Sequence, residues 1–291
     1  MQVPAPFSYE RAHSVEEAVA LLERHAPDAR LLAGGHSLLP MMKLRLARPS
    51  TLVDINDLAG LDYIRLEGEE IAIGAMTRHR AVLDSALLAE HYRIFAEAER
   101  VIADPLVRNR GTVGGSLCQA DPAEDLSAVL GALKGAVVVR SSTASRSIPL
   151  SELHRGPYET AVDDAEILTE VRVPLRPGAG SAYEKVERRA GDWAVAAAGA
   201  CVQLRDGVVV DVGIGLTAVG ARGFTCPEAE DALRGEEPTA ERIARAARIC
   251  RERCQPVADQ RGPTDYKRHL VEVLVGRTVT RSVARAQGGE A

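Results

Sequence analysis

The fold of this sequence is decided by two glycine pairs, Ala33-Gly34-Gly35-His36-Ser37 and Thr112-Val113-Gly114-Gly115-Ser116. Glycine tolerates positive φ and has no Cβ to block a ligand, so successive backbone N–H groups can converge on an anion. Two such loops can hold the two phosphates of a dinucleotide from opposite sides. Neither loop has the G-x-G-x-x-G spacing of nicotinamide-binding proteins or the Gly-Lys-Ser/Thr ending of ATP-binding loops, which disfavours both of those cofactors.

Around these pairs the chain divides into three predicted regions, residues 1–57, 58–176 and 177–291. The first region opens with the capping box Ser14-Val15-Glu16-Glu17 and is predicted to be a small α/β layer. The third follows the Pro/Gly-rich segment Pro174–Gly180, which is typical of a linker. Apolar periodicity predicts strands at 30–33, 51–55, 71–73, 137–140, 167–173, 183–187, 194–204 and 208–216. Helices are predicted at 77–84, 87–101, 125–133, 228–233, 240–254 and 264–274.

Charge and hydropathy exclude several classes of partner. The formal net charge is −5 and the basic residues are dispersed, which argues against a nucleic-acid or anionic-membrane partner. No stretch approaches the roughly 18 apolar residues of a membrane span. The first residues, Met1–Pro6, lack the basic and apolar segments of a secretory signal. A cytoplasmic location is therefore expected.

The cysteines have no spacing that indicates a metal centre or iron–sulfur cluster. They are Cys118, Cys201, Cys226, Cys250 and Cys254, and only the last two are close in sequence. No C-x-x-C motif or Cys–His set is present, so no metal site is predicted. Cys250 and Cys254 are expected one turn apart on a late helix, as buried free thiols.

Four segments carry a family resemblance: AGGHSLLPMMKLR (33–45), IADPLVRNRGTVGGS (102–116), DPAEDL (121–126) and YEKVERRAGDWA (183–194). Together they resemble the FAD-binding medium subunits of the molybdenum hydroxylases, the xanthine dehydrogenase family, from Phe7 to about Tyr266. Within that family they are most similar to the medium subunits of the aerobic, molybdenum-containing carbon monoxide dehydrogenases. The glycine motifs are specific for the family and much less specific for the substrate.

The resemblance implies an α+β fold and a bound FAD. The first two regions should form a two-part FAD-binding domain of the vanillyl-alcohol-oxidase (PCMH) type, and the third a C-terminal antiparallel sheet with helices. FAD should bind noncovalently, without a link to His36. The residues expected to hold its pyrophosphate are Ala33, Gly34, Gly35, His36, Ser37, Thr112, Gly114, Gly115 and Ser116.

Three further residues have two interpretations each. The resemblance suggests that Asp125 binds the adenosine ribose, while its local sequence equally suggests an N-cap for the following helix. Lys185 either places positive charge near the flavin or is a surface lysine of a strand. Trp193, where the family has a Tyr, either lies beside the isoalloxazine or is a core aromatic. His79 and His154 show no partner pattern, and Ser37 and Ser116 have no matched base, so hydrolase chemistry finds no support.

The implied function is electron transfer with no catalytic residue on this chain. A chain that carries flavin without iron–sulfur clusters must receive electrons from another chain. The resemblance implies a large molybdopterin subunit, a small subunit with two 2Fe-2S clusters, a dimer of heterotrimers, and a quinone or cytochrome as acceptor. Carbon monoxide is the first substrate considered, and a purine, aldehyde or N-heterocycle the alternative. A stand-alone flavin oxidase and a scaffold without FAD remain as other classes; the glycine pairs argue against the scaffold.

Overall fold

The computed structural model describes residues 3–289. The N-terminal part of the chain forms a small parallel sheet. Its elements in chain order are β1 (Ser8–Arg11), α1 (Val15–His25), β2 (Ala29–Leu32), α2 (Leu38–Lys43) and β3 (Thr51–Asp54). The strand order is β1-β3-β2, with parallel pairing throughout. Helix α1 buries Ala18, Val19 and Leu22 against this sheet, in the core that also holds Val53. The first glycine pair follows β2 directly.

The predicted capping box is present with one changed contact. The Ser14 hydroxyl accepts a hydrogen bond from the N–H of Glu17 at 3.0 Å. The Glu17 carboxylate accepts from the N–H of His13 at 2.8 Å, and not from that of Ser14. Both ends of the motif still satisfy backbone donors that the helix itself leaves free.

The second region is built around a five-stranded antiparallel sheet. A 3-10 turn at Ala59–Leu61 precedes it. Its elements are β4 (Ile64–Glu67), β5 (Glu70–Gly74), α3 (His79–Asp84), α4 (Ala86–His91), α5 (Arg93–Val101), α6 (Pro105–Arg108), α7 (Val113–Gln119), α8 (Leu126–Ala132), β6 (Ala136–Arg140), β7 (Ser145–Pro149), α9 (Leu150–Leu153), β8 (His154–Gly156), β9 (Glu159–Thr160) and β10 (Ile167–Pro174). The sheet order is β4-β5-β10-β6-β7, and β8 pairs with β9. The second glycine pair lies in the first turn of α7.

The third region is an antiparallel meander covered by helices. Its elements are β11 (Gly180–Val186), β12 (Ala196–Arg205), β13 (Val208–Thr217), a 3-10 turn (Arg222–Phe224), α10 (Pro227–Asp231), α11 (Ala240–Arg253) and α12 (Thr264–Ala286). Small residues let helices approach both faces of this sheet. A Cβ at Gly215 would lie 1.8 Å from the carbonyl oxygen of Ala128 in α8, and one at Gly180 would lie 2.0 Å from that of Ser282 in α12. The meander is thus packed between α8 and α12.

The regional boundaries at 57/58 and 176/177 stay a prediction. The first two sheets end near them, since β3 ends at Asp54 and β10 at Pro174. The apolar core does not stop at the second boundary, because Tyr183 and Ala197 belong to the core of the second region.

The prediction of one continuous helix over 87–101 is wrong, because the helix is interrupted at Tyr92. That residue has extended backbone (φ −145°, ψ 93°) and separates α4 from α5. Its side chain is 1% exposed, and its hydroxyl donates to the carbonyl oxygen of Pro174 at 2.6 Å. The anchoring contact is 82 residues away, so helical periodicity alone contained no signal for it. The last helix also continues to Ala286, well beyond the predicted end at residue 274.

The five cysteines are free thiols, four of them buried and Cys118 exposed. Cys250 lies on α11, and Cys254 is the residue that ends this helix. Over residues 3–289 we find no helix that combines the length and apolar character required to cross a membrane.

Candidate functional site: a cavity between the glycine loops

A cavity of about 530 Å³ lies where the first sheet, the helices of the second region and strand β11 meet. This volume is within the roughly 300–1,000 Å³ range of small-molecule and cofactor sites. All twelve residues that the sequence assigned to a cofactor site line it: Ala33, Gly34, Gly35, His36, Ser37, Thr112, Gly114, Gly115, Ser116, Asp125, Lys185 and Trp193. Residues up to 160 positions apart are thereby brought to one surface.

The first glycine loop needs its two glycines for different reasons. Gly35 has φ +79°, where an L side chain is strained. Gly34 has no such backbone; a Cβ there would lie 2.2 Å from the carbonyl oxygen of Arg110, so it is required by close approach to the second loop. The Asn56 amide stabilises the turn by donating to the carbonyl oxygens of Leu32 and Ala33 at 3.3 and 2.8 Å. Positive φ, which a glycine pair permits, is therefore adopted in this pair only at Gly35.

The second glycine loop is a capped helix start. The Thr112 hydroxyl accepts a hydrogen bond from the N–H of Gly115 at 3.1 Å and acts as the N-cap of α7. Gly114 is helical, and a Cβ there would lie 2.9 Å from the carbonyl oxygen of Ala75. Gly115 turns its missing side chain toward the cavity, where the nearest heavy atom to an added Cβ is the Thr112 hydroxyl at 2.7 Å. Neither glycine of this pair has positive φ.

Asp125 forms a buried contact between the second and third regions. One oxygen accepts from the Tyr183 hydroxyl at 2.5 Å and the other from Lys185 Nζ at 3.1 Å. Asp125 does stand at the N-cap position of α8, but its side chain makes no cap hydrogen bond to that helix. Glu124 caps that helix instead, accepting from the N–H groups of Leu126 and Ser127 at 2.9 and 2.7 Å.

Lys185 is buried, so the interpretation as a surface lysine is wrong. Its side chain is 1% exposed, although it lies in the second, partly exposed half of β11. Nζ donates to the carbonyl oxygen of Val101 at 2.8 Å, and lies 3.1 Å from Asp125 and 3.4 Å from Glu187. One ammonium group therefore offsets two carboxylates at the wall of the cavity.

Trp193 is 45% exposed, so the core interpretation is also wrong. It lines the cavity at the end of the turn that follows β11. Gly191 in that turn has φ +75°, and a Cβ on it would lie 2.5 Å from the carbonyl oxygen of Ala103. The Asp192 carboxylate accepts from the Trp193 N–H at 2.8 Å. The turn thus holds an aromatic surface at the solvent side of the cavity.

The sequence missed a buried chain of hydrogen bonds behind the second loop. His79 Nδ1 lies 3.0 Å from a Glu99 carboxylate oxygen, and its Nε2 lies 2.9 Å from the Ser116 hydroxyl. Burial opposes charge on this imidazole, but the Glu99 carboxyl outweighs it and raises the pKa of His79. Glu99 is 20 residues and Ser116 37 residues from His79 in sequence. No spacing pattern marks the set, because helix packing alone brings the three together.

Burial raises the pKa of Glu124 to about 7 despite the two N–H groups that its carboxyl caps. Since its ordinary value is 4.5, this group stabilises the fold fully below pH 4.5 and loses that contribution as the pH rises through 7. We expect the stability advantage of the native chain over Glu124→Gln to shrink by about 3 kcal/mol from pH 4.5 to 7. Urea unfolding of both chains from pH 4.5 to 7 measures this change. A difference in unfolding free energy that does not vary with pH would contradict the raised pKa of Glu124.

Two parts of the chain match known protein families. Residues 5–176 match the family of the FAD binding domain in molybdopterin dehydrogenase, and residues 181–282 match the CO dehydrogenase flavoprotein C-terminal domain. The chain belongs to the FAD-binding medium subunits of the molybdenum hydroxylase (xanthine dehydrogenase) family. It is therefore an oxidoreductase subunit with an FAD-binding domain, and the predicted fold class is confirmed.

The similar proteins include enzymes with different substrates. The carbon monoxide dehydrogenase medium chain of Afipia carboxidovorans is 39% identical, over 98% of this chain and 99% of the relative. Subunit alpha of the 6-hydroxypseudooxynicotine dehydrogenase complex of Paenarthrobacter nicotinovorans is 38% identical, over 98% and 97%. A solved carbon monoxide dehydrogenase from Hydrogenophaga pseudoflava, which lacks the Mo-pyranopterin moiety of its cofactor, matches with a TM-score of 0.94 and 40% identity over 97% of this chain and 99% of that chain.

The cavity fits FAD on its own geometry. A dinucleotide needs a pyrophosphate cradle with little side-chain bulk, and the glycine pairs of both loops line the cavity. It also needs a longer surface for its two ends, and the lining extends from these loops to Asp125 and Trp193.

Proposed function

We propose that this chain transfers electrons from 2Fe-2S clusters of a partner subunit to an external acceptor through FAD held in the cavity between the glycine loops. The convergence of both loops on one cavity carries the proposal. Bound FAD supplies a group that accepts and releases electrons singly or in pairs. The cysteines have no cluster-binding spacing, so an iron–sulfur donor would belong to another chain.

The residues of this chain bind and orient the cofactor in this proposal. Backbone N–H groups of the first loop and the hydroxyls of Ser37 and Ser116 face the pyrophosphate. In the second loop the N–H groups of residues 113–116 all donate to oxygen atoms within the protein, so this loop contributes its lack of side-chain bulk and the Ser116 hydroxyl. Each hydrogen bond to a charged phosphate contributes about 1.5–3 kcal/mol before the cost of association. Asp125 retains lone pairs for the adenosine ribose beyond those used by Tyr183 and Lys185.

The flavin end is placed at the opposite part of the lining. Trp193, whose exposed ring lines the cavity, stacks beside the isoalloxazine and limits access to it. Because Lys185 Nζ lies 3.1 Å from Asp125, its buried positive charge is assigned in this proposal to the ribose end of the cavity and not to the flavin end. His36 contributes a hydrogen-bonding side chain, and the cofactor stays noncovalent.

Carbon monoxide is the proposed substrate of the complex, oxidised with water to carbon dioxide on a large molybdopterin subunit. Similarity to the carbon monoxide dehydrogenase medium chain supports this choice. The 38% identity to subunit alpha of a 6-hydroxypseudooxynicotine dehydrogenase complex supports the alternative, a hydroxylase of a purine, aldehyde or N-heterocycle. The two identities differ little because the residues that select substrate would lie on the large subunit.

The assembly proposed is a dimer of heterotrimers, each with a large, a medium and a small subunit, and with a quinone or cytochrome as acceptor. Relatives named as a medium chain and as subunit alpha of a complex support a multi-subunit enzyme. A cytoplasmic location is proposed as well, since the free thiols suit a reducing compartment.

Anaerobic absorbance spectra of the complex purified from its host test this function. We expect an oxidised flavin band that bleaches when carbon monoxide is added. A band bleached by dithionite but not by carbon monoxide would retain the electron-transfer role and favour the alternative substrates. The absence of any flavin band would contradict the function.

A further inference from the structure

Glu99, His79 and Ser116 form one hydrogen-bonded chain that ends at the cavity. Glu99 is 0% exposed, and its second carboxylate oxygen is buried without a hydrogen-bond partner among the described residues. Its first oxygen lies 3.0 Å from His79 Nδ1, and His79 Nε2 lies 2.9 Å from the Ser116 hydroxyl. Ser116 lines the cavity in the turn after Gly115. Burial raises the pKa of Glu99, and a positive charge on His79 opposes that shift and favours the carboxylate.

The protonation of His79 decides what Ser116 offers to the cavity. If Nε2 carries a proton, it donates to the Ser116 oxygen, and the hydroxyl hydrogen is free to point at a ligand. If Nε2 is unprotonated, the Ser116 hydroxyl donates to it, and only oxygen lone pairs face the cavity. The first arrangement attracts a phosphate oxygen and the second repels it.

We propose that Glu99 keeps His79 protonated at both ring nitrogens, so that Ser116 is fixed as a hydrogen-bond donor to the FAD pyrophosphate. Glu99 and His79 are positioning residues, because they act through Ser116 without touching the cofactor. The inference rests on the FAD site proposed above. It adds the buried Glu99–His79 pair, which lies behind the glycine loops, to the groups that favour the pyrophosphate anion.

The charged groups around His79 favour its protonated form. Glu99 faces it from α5, and Glu124 and Asp125 add negative charge from the segment before α8. Together they outweigh burial, which by itself disfavours an imidazolium. Arg108 of α6 faces Glu99 from the other side and donates to the carbonyl oxygens of Ile102 and Ala103.

FAD binding to the flavin-free full chain tests this arrangement through Glu99→Gln, which keeps the shape of the side chain and removes its charge. Each affinity is expressed relative to that of the wild-type chain at the same pH, from pH 6 to 8, because Glu124 also lines the cavity and has a pKa of about 7. Glu99→Gln should bind FAD roughly ten- to a hundredfold more weakly at pH 8, the value of one charged hydrogen bond. Its affinity should recover as the pH falls, because burial without Glu99 lowers the pKa of His79.

The Ser116→Ala background separates positioning from packing. If Glu99 acts through Ser116, Glu99→Gln causes no further loss of FAD affinity when Ser116 is already alanine, and the pH dependence disappears. Equal losses in both backgrounds, or a loss that does not change with pH, would overturn the inference. Glu230→Gln is the matched control: it also removes a buried carboxylate, but one that accepts from the N–H of Ile214 far from the cavity.

A measurement on the wild-type chain avoids the risk that a variant fails to fold. The ¹⁵N chemical shifts of the His79 ring should show both nitrogens protonated at pH 7, and an unprotonated Nε2 would overturn the inference. If the wild-type chain bound no FAD, the function proposed above would fail together with it. If the wild-type chain bound FAD and Nε2 were unprotonated, only the positioning role would fail.

Discussion

We expect the Gly35→Asp and Gly115→Asp variants to purify without flavin. Each change adds a carboxylate to a loop that lines the cavity where the pyrophosphate is proposed to bind, and like charges repel at close range. Gly35→Asp adds strain, because φ is +79° there and the new Cβ would lie 3.0 Å from the Leu39 side chain. Gly115→Asp lies in the first turn of α7, where a negative side chain favours the helix, but its Cβ would lie 2.7 Å from the capping Thr112 hydroxyl, so thermal unfolding must separate loss of FAD from loss of the fold.

Flavin content per chain and thermal unfolding are the measurements. Gly178→Asp is a matched control for Gly35→Asp, since Gly178 has φ +74° and open space around its Cβ position. Gly178→Asp introduces similar backbone strain and the same new charge, and it should retain the wild-type FAD content. A folded Gly35→Asp or Gly115→Asp chain with wild-type flavin content would rule out the glycine loops as the cradle.

The second large effect is expected at Lys185. Replacing it by methionine keeps most of the volume and removes the ammonium group that lies 3.1 Å from Asp125 and 3.4 Å from Glu187. Breaking a buried ion pair by removing one partner costs about 3–5 kcal/mol, since the remaining charge stays buried without compensation. Urea unfolding at pH 7 measures this loss.

A second substitution tests the cause of that loss. Adding Asp125→Asn to Lys185→Met removes the uncompensated carboxylate, and we expect it to restore part of the lost stability. The amide still accepts a hydrogen bond from the Tyr183 hydroxyl, the partner that Asp125 has at 2.5 Å. A double variant as unstable as the sum of the two single variants would show that the charge pair is not the source of the effect.

The strand predictions held better than the helix predictions, for a local reason. The runs at 71–73, 137–140 and 167–173 all lie within β5, β6 and β10, because each has isoleucine or valine, which favour strands, at its buried positions. The helix predicted at 87–101 hid a break at Tyr92, which depends on a contact with Pro174. Strands β1, β4 and β7 were missed, since they are short and largely exposed edges with little apolar content.

The loop residues proposed to bind the cofactor all line the cavity, and the sequence could indicate their glycines because the requirement for glycine is local. A backbone segment that must approach another group closely requires glycine, and both loops contain a glycine pair. The sequence could not tell why each glycine was needed. Gly34 and Gly114 are required by the carbonyl oxygens of Arg110 and Ala75, and these neighbours are set by packing.

By itself the sequence determined the family, the α+β class and the two loops that define the cofactor site. Only the tertiary structure decided that Lys185 is buried between two carboxylates, that Trp193 is exposed, and that Glu99 and His79 lie behind Ser116. The physical reason is the distance along the chain over which each effect acts. The steric requirements of the backbone select residue types within a few positions, whereas burial and hydrogen bonding depend on which distant helices and strands pack together.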